Sequence, residues 1–119
     1  MKTYLTKLFI IVSLFAMAIP ASAAIACAGK VTNAYTDSTG TFTISATYRA
    51  DYTALCNVRV LYLGVDPVTC RTWVATVMTA MSKGYYVQVY YSDPAATACA
   101  SLPVYGASLP LYYVMMLNN

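Results

Sequence analysis

The stretch from residue 66 to residue 92 constrains the fold most, because the spacing of its apolar residues changes partway along. Asp66 is a typical N-cap, and Pro67 suits the first helical position. Apolar residues then recur every three or four positions as far as Gly84, a typical helix stop. Residues 85–92 are rich in Tyr and Val, which favour strands. The sequence therefore predicts one helix followed by one strand.

Strand patterns occupy most of the remaining chain after residue 30. The clearest is residues 41–49, where apolar side chains alternate with a row of hydroxyls that includes Thr43 and Ser45. We expect the apolar side to be buried and the hydroxyl side to be solvated. Residues 109–117 are apolar on both faces, which predicts a central strand or a strand covered by a partner. The predicted strands are residues 30–36, 41–49, 55–63, 85–92 and 109–117, with a turn at 37–40 and a long loop, which Cys99 can tie down, at 93–106.

The order of these elements is three strands, a helix and two strands. With short antiparallel connections before the helix, this is the order of a five-stranded OB barrel. We therefore predict a mainly β fold, a five-stranded OB-like barrel with one α-helix between strands 3 and 4. An antiparallel α+β sheet covered by one helix is the alternative architecture. A β-hairpin that turns at residues 64–67, in place of a helix that begins there, is the alternative interpretation of this stretch.

The first 23 residues have the pattern of a secretory signal peptide. Lys2 and Lys7 form a basic start, residues 8–19 carry no charge, and residues 21–23 form a small-x-small cleavage site. A transmembrane anchor is the alternative, but a span needs roughly 20 apolar residues and this run is shorter. We therefore expect residues 1–23 to be a signal peptide, residues 24–119 to be a single OB-like domain, and the mature chain to be secreted or periplasmic without a membrane span.

The residue types that remain after cleavage exclude several function classes. The chain has no His and no Glu, so triads and zinc sites that use His are impossible. A glycosidase needs two carboxylates at a set separation, and no pattern brings two of the Asp residues together. Five basic residues against four Asp leave a mature charge of 5 − 4 = +1, which gives no basic face for nucleic acid. We predict a protein that is not an enzyme, with no cofactor, no metal and no nucleic-acid partner. The only carboxylate side chains are Asp37, Asp51, Asp66 and Asp93.

All four cysteines lie beyond the predicted cleavage site. An even number of cysteines in a short exported chain predicts disulfides, here two, and no Cys-x-x-Cys motif suggests a metal or redox site. Two pairings remain open: Cys56–Cys99 with Cys27–Cys70, and Cys27–Cys99 with Cys56–Cys70. If Cys56 opens a straight strand that ends near Leu63, then Cys70 lies a strand length away, which argues against the Cys56–Cys70 bridge.

Two stretches resemble the binding subunits of the subtilase cytotoxin family and their small secreted OB-fold relatives. Residues 32–38, Thr-Asn-Ala-Tyr-Thr-Asp-Ser, are similar to a Thr-Asn-Ala-Tyr-Tyr-Ser-Asp segment near the mature start of those subunits. Residues 73–91 resemble the family's helix, its Ser-x-Gly stop and the strand that follows. Leu102-Pro103 stands where the family has an aromatic-Pro pair before its final strand.

The resemblance implies an OB-fold subunit that assembles into a ring, usually of five copies, and binds terminal sialic acid on cell-surface glycans. The family's sugar-contacting Ser falls on Asp37, or on Ser38 after a one-residue shift, and an Asp there would repel a carboxylate sugar. We predict a secreted, non-catalytic glycan-binding protein that resembles a toxin B subunit. The alternative is a secreted structural or protein-interaction module with no sugar site. The predicted ligand-binding residues are Tyr35, Asp37, Ser38, Thr39 and Lys83, and the predicted partners are a cell-surface glycan and further copies of the chain in a ring.

Overall fold

Two three-stranded antiparallel sheets and one helix make up residues 24–118, the part of the chain that this computed structural model describes. The predicted signal peptide, residues 1–23, lies outside the described residues. One sheet has the strand order β1-β5-β6 and the other has the order β2-β3-β4. The elements in chain order are β1 (Ile25–Gly29), β2 (Val31–Thr36), β3 (Thr41–Ala46), β4 (Arg49–Asn57), α1 (Pro67–Lys83), β5 (Tyr86–Tyr91), a short 3₁₀ turn (Cys99–Ser101) and β6 (Tyr113–Leu117).

The helix forms where the sequence predicts it. Asp66 caps its start by accepting hydrogen bonds from the Thr69 backbone N–H at 3.0 Å and from the Thr69 hydroxyl at 2.7 Å. Gly84 ends it in the left-handed region at φ 68°. The buried face carries Trp73 and Val77, and the helix packs against both sheets, on β5 and β6 and on β2 and β4. A hairpin in place of the helix start is therefore excluded.

The chain passes from one sheet to the other at Gly29 and Lys30, between β1 and β2. Gly29 is buried, and a Cβ there would overlap the Thr47 hydroxyl and lie 3.1 Å from the Tyr48 ring. Only glycine fits this close approach without displacing its neighbours. Apolar residues from both sheets and from the helix then form one core. Its largest fully buried side chains include Tyr91, Phe42, Ile44, Leu55, Leu102 and Val77.

The prediction of a five-stranded OB-like barrel with the helix between strands 3 and 4 is wrong. Residues 24–118 form six strands in two separate sheets, no closed barrel is present among them, and the helix follows the fourth strand. The unpredicted strand is β1, whose Ile-Ala-Cys-Ala-Gly sequence lacks alternation and β-branched residues after Ile25. It forms because it pairs with β5, from Ile25 opposite Tyr91 to Gly29 opposite Val87.

The strand predicted at residues 55–63 begins and ends several residues after the observed strand β4, Arg49–Asn57. β4 pairs with β3 in an antiparallel hairpin and already ends at Asn57. The Asn57 side-chain oxygen accepts hydrogen bonds from the backbone N–H groups of Arg59 at 2.8 Å and Val60 at 3.2 Å. A side chain that bonds to its own backbone in this way turns the chain instead of extending it. The residues that follow β4 are therefore a loop.

Both predicted disulfides are present, and they join Cys27 to Cys99 and Cys56 to Cys70. The Cys56–Cys70 bridge contradicts the argument made from a straight strand that ends near Leu63. It forms because β4 ends just after Cys56 and the chain turns back, which places Cys70 in α1 at a Cα–Cα distance of 5.5 Å. Two disulfides in a small domain fit an extracellular or periplasmic location.

No helix within residues 24–118 has the length and apolar character that crossing a membrane would require.

Candidate functional site

A cleft of about 200 Å³ opens on one face of the β2-β3-β4 sheet. Tyr35 of β2 and Ala54 of β4 lie on either side of Thr43 in the cross-strand register, so the three form a row across the sheet. Successive residues of a strand point to opposite faces, and Thr43 therefore faces away from the side on which Phe42 and Ile44 enter the core. The cleft is lined by Tyr35, Asp37, Thr41, Thr43, Ala54, Tyr62, Tyr105 and Gly106.

The hydroxyl row of β3 is not the solvated face that its alternation predicts. Thr43 is only 3% exposed and Ser45 only 4%. The Ser45 hydroxyl donates to the Ala50 carbonyl at 2.7 Å, and Thr43 lies on the floor of the cleft. The long loop before β6 bonds to β4 and covers Thr43, whereas Ser45 is also covered by Thr32, whose hydroxyl lies 3.2 Å from the Ser45 hydroxyl.

This loop, residues 92–112, forms one wall of the cleft. The Tyr105 N–H donates to the Tyr52 carbonyl at 3.0 Å, and the Ala54 N–H donates to the Ser108 hydroxyl at 2.9 Å. The Cys27–Cys99 bridge attaches the loop to β1, as its position in the sequence predicts. Tyr105 has a φ of 50°, in the left-handed region that non-glycine residues seldom adopt. The loop is therefore held in one conformation that places the Tyr105 ring at the cleft.

Three tyrosine side chains, those of Tyr35, Tyr62 and Tyr105, are part of the cleft lining. The rings of Tyr35 and Tyr52 meet edge to face with centroids 5.5 Å apart, and the rings of Tyr52 and Tyr105 lie 6.0 Å apart. Tyr35 is 42% exposed and Tyr105 is 52% exposed. Tyr62 approaches from the loop between β4 and α1. The rings are fixed by their neighbours and still open to a ligand, which suits them to binding.

Asp37 is the carboxylate of the cleft and also organises the turn between β2 and β3. Its Oδ1 accepts from the Thr39 N–H at 2.8 Å, the Thr39 hydroxyl at 2.6 Å and the Thr41 N–H at 3.1 Å. The Thr39 hydroxyl bond, followed by the Thr41 backbone bond, holds the pKa of Asp37 below its usual value. All three bonds use the same oxygen, so Oδ2 remains an acceptor for a ligand. Gly40 completes the predicted turn at φ 95°.

A second set of contacts supports this turn from beneath. Asn57 donates through Nδ2 to the Thr39 carbonyl and to the Thr41 hydroxyl, both at 3.2 Å. Arg59 donates through Nη1 to the Ser38 carbonyl at 2.9 Å. Arg59 does not line the cleft. The guanidinium therefore supports the turn and adds no charge to the lining.

The structure brings together only part of the predicted ligand set. Tyr35 and Asp37 line the cleft, and Ser38 and Thr39 belong to the same turn without lining it. Lys83 is elsewhere, at the C-terminal end of α1, with Nζ 5.7 Å from the centroid of the Tyr85 ring. Sequence reasoning missed Thr41, Thr43, Tyr62 and Tyr105 as lining residues. The unbroken row of hydroxyl side chains in β3 was the one sequence feature that could have identified Thr41 and Thr43 as lining residues.

The cleft has the composition of a binding site. Asp37 is the one carboxylate in its lining, whereas Asp51 pairs with Arg49 at 3.2 Å and Asp93 accepts from the Ala95 N–H at 2.8 Å. Among residues 24–118, no three His, Cys, Asp or Glu side chains are grouped as a metal ion would require. Phenol rings, hydroxyls and one carboxylate can pack on an apolar surface and hydrogen-bond to polar groups.

A second exposed surface, which we call the tyrosine face, covers the outside of the β1-β5-β6 sheet. Tyr90 of β5 stacks on Tyr113 of β6 with centroids 5.1 Å apart, and Gln88 donates to the Tyr113 hydroxyl at 2.8 Å. None of the three strands contains a charged residue. β6 was predicted to be central or covered by a partner, and it lies at the edge of its sheet. The tyrosine face comprises Tyr86, Gln88, Tyr90, Tyr113, Met115 and, beside them, Tyr112.

Comparison of the chain with models of known protein families, with curated proteins and with solved structures finds no match. The similarity of residues 32–38 and 73–91 to toxin binding subunits therefore stays a hypothesis drawn from those residues. The geometry of the cleft is the main basis for assigning a function.

Proposed function

We propose that the mature chain is a secreted, non-catalytic glycan-binding protein and that the cleft beside Asp37 is its sugar site. The observation that carries this proposal is the arrangement of open tyrosine rings beside fixed polar groups. A sugar ring has an apolar face that packs on an aromatic ring and an edge of hydroxyls that needs donors and acceptors. Tyr35 and Tyr105 offer the first kind of surface, and Asp37, Thr41 and Thr43 offer the second.

Two further observations support this function. Residues 32–38, which resemble the sugar-contacting segment of toxin binding subunits, include both Tyr35 and Asp37 of the lining. The lining has a single carboxylate, whereas hydrolysis of a glycosidic bond uses a pair. Binding without catalysis is the activity that this set of side chains supports best.

A glycan array with two alanine variants tests the proposal. We expect the oxidised mature chain to bind a subset of glycans, and Tyr105→Ala to weaken that binding by about tenfold or more, because truncating an aromatic anchor of a binding site commonly costs more than about 1 kcal/mol. Met78→Ala is the control, since Met78 is exposed on the helix and lies outside both the cleft and the tyrosine face. Absence of binding to every glycan, or equal losses in both variants, would rule out a sugar site in the cleft.

The tyrosine face favours a second candidate function, interaction with further copies of the chain. An uncharged, aromatic face next to an unpaired edge strand is a typical contact surface between subunits. Met115 of this face is 39% exposed and lies on β6. We propose that this sheet contacts another copy, as the resemblance to ring-forming subunits implies.

Light scattering after size-exclusion chromatography tests this second candidate. We expect an oligomer for the unaltered chain and a monomer for Met115→Lys, because a buried lysine charge disfavours the contact. Met78→Lys is the control, since Met78 is an exposed methionine on the helix. A monomeric mass for the unaltered chain at high concentration would contradict the subunit contact and leave the sugar site unaffected.

A further inference from the structure

We infer that the cleft selects a neutral sugar ring at the end of a glycan and rejects sialic acid, an inference that rests on the proposed function. The resemblance to toxin binding subunits implies the opposite preference. The charge of the lining, the geometry of the Asp37 carboxylate and the hydroxyls beside it support the neutral ligand.

The lining carries one charged side chain, the Asp37 carboxylate. Lys83, the cation predicted to pair with a carboxylate sugar, lies at the end of α1 and outside the lining. Arg59 donates to the Ser38 carbonyl and also lies outside the lining. A sialic acid carboxylate would therefore meet a like charge with no lining cation to offset it.

Asp37 remains ionised at the pH of most extracellular fluids. Hydrogen bonds from Thr39 and Thr41 lower its pKa, so protonation requires a pH below the usual range of an aspartic acid. Because Asp37 is exposed, water weakens its repulsion of a second carboxylate, and we expect a discrimination of about fivefold against an acidic sugar.

The geometry of the carboxylate suits sugar hydroxyls. Oδ1 is occupied by three donors, which fixes the orientation of the group and leaves Oδ2 as a pure acceptor. The hydroxyls of Thr41 and Thr43 can donate or accept. Neighbouring sugar hydroxyls can therefore donate to Oδ2 and exchange hydrogen bonds with the threonines, while the ring packs on Tyr35 or Tyr105.

The volume of the cleft limits what it can enclose. About 200 Å³ is the scale of one sugar ring, and the cleft is open to solvent, so the remainder of a glycan extends outward. Tyrosine rings beside a carboxylate also suit an organic ammonium ion. Thr41 and Thr43 favour a polyol over a quaternary ammonium group, because that group has neither an N–H to donate nor a lone pair to accept a hydrogen bond.

The test measures binding to one glycoprotein before and after sialidase treatment, by biolayer interferometry at neutral pH. We expect the unaltered chain to bind the desialylated form about fivefold more tightly, in line with the repulsion of one exposed charge pair. Asp37→Asn should reduce this preference to about twofold or less, because the amide keeps the shape and loses the charge. Asp93→Asn is the control, since Asp93 lies outside the cleft and should leave the preference unchanged.

Tighter binding to the sialylated form, or competition by choline but not by a neutral hexose, would overturn the inference and leave a ligand site at the cleft. Failure to bind either form, together with a blank glycan array, would overturn the proposed function itself. If Asp37→Asn unfolds the turn, as a lower melting temperature would reveal, the two forms of the glycoprotein still decide the question with the unaltered chain.

Discussion

The buried tyrosines show how strongly single polar atoms matter in this small core. The Tyr48 hydroxyl is buried and has no hydrogen-bond partner among residues 24–118. The Tyr91 hydroxyl is also buried but bonds to Thr53, and burial raises its pKa to about 12. Burial likewise raises the pKa of Tyr48, whose ring packs against the core. The same side chain therefore carries an unpaired hydroxyl at one position and a paired one at the other.

We predict that Tyr48→Phe stabilises the fold by about 1 kcal/mol, because it removes a buried polar group that gains nothing from folding. Tyr91→Phe is the matched variant and should destabilise by about 1 kcal/mol, since it breaks the bond to Thr53. Urea unfolding of both variants under oxidising conditions measures the difference. Equal destabilisation by the two changes would show that the Tyr48 hydroxyl has a partner in solution.

For single residues, the sequence predicted the turns and the helix caps correctly, but it wrongly predicted that the hydroxyl row of β3 is solvated. Asp37 and Gly40 form the predicted turn, because a short acceptor and a residue that tolerates positive φ act locally. Thr43 is covered by a loop about 60 residues later in the chain, which walls the cleft above it, and Ser45 is enclosed by Thr32 and Ala50. No local pattern in residues 41–49 contains that information.

Among the elements, the helix was predictable and two of the strands were not. The start and end of α1 are fixed by Asp66, Pro67 and Gly84, all adjacent to the element that they define. β1 and the true bounds of β4 depend on their partners, because a strand gains its hydrogen bonds only from another segment. The short β1 has no signal of its own beyond the pairing with β5.

The two disulfides connect elements over very different lengths of chain, and removing each should have a different cost. Their sequence separations are 72 residues for Cys27–Cys99 and 14 residues for Cys56–Cys70. Loop-closure entropy gives about 4.4 kcal/mol for the longer loop and about 3 kcal/mol for the shorter one. We therefore predict that the double alanine variant of Cys27 and Cys99 loses more unfolding free energy in urea. A larger loss in the Cys56 and Cys70 variant would mean that local strain or packing outweighs chain entropy.

Over the whole molecule, the cleft is assembled from segments that lie far apart in the sequence. Tyr35 comes from β2, Tyr62 from the loop before the helix, and Tyr105 from the loop before β6. Residues 32–38 marked one corner of the site in advance, whereas no spacing rule connects that corner to Tyr62 or Tyr105. The predicted barrel failed for the same reason, since the number and pairing of strands are set by contacts between distant segments.

We propose that a neutral glycan binds between the Asp37 turn and the Tyr105 loop. The most direct test is an NMR titration of the ¹⁵N-labelled, oxidised protein, residues 24–119, with a desialylated glycan, followed through the backbone amide signals. We predict saturable shifts at Asp37, Thr43 and Gly106, with little change at Tyr86 and Met115 of the tyrosine face. Shifts confined to the tyrosine face, or no shifts at millimolar glycan, would contradict binding in the cleft.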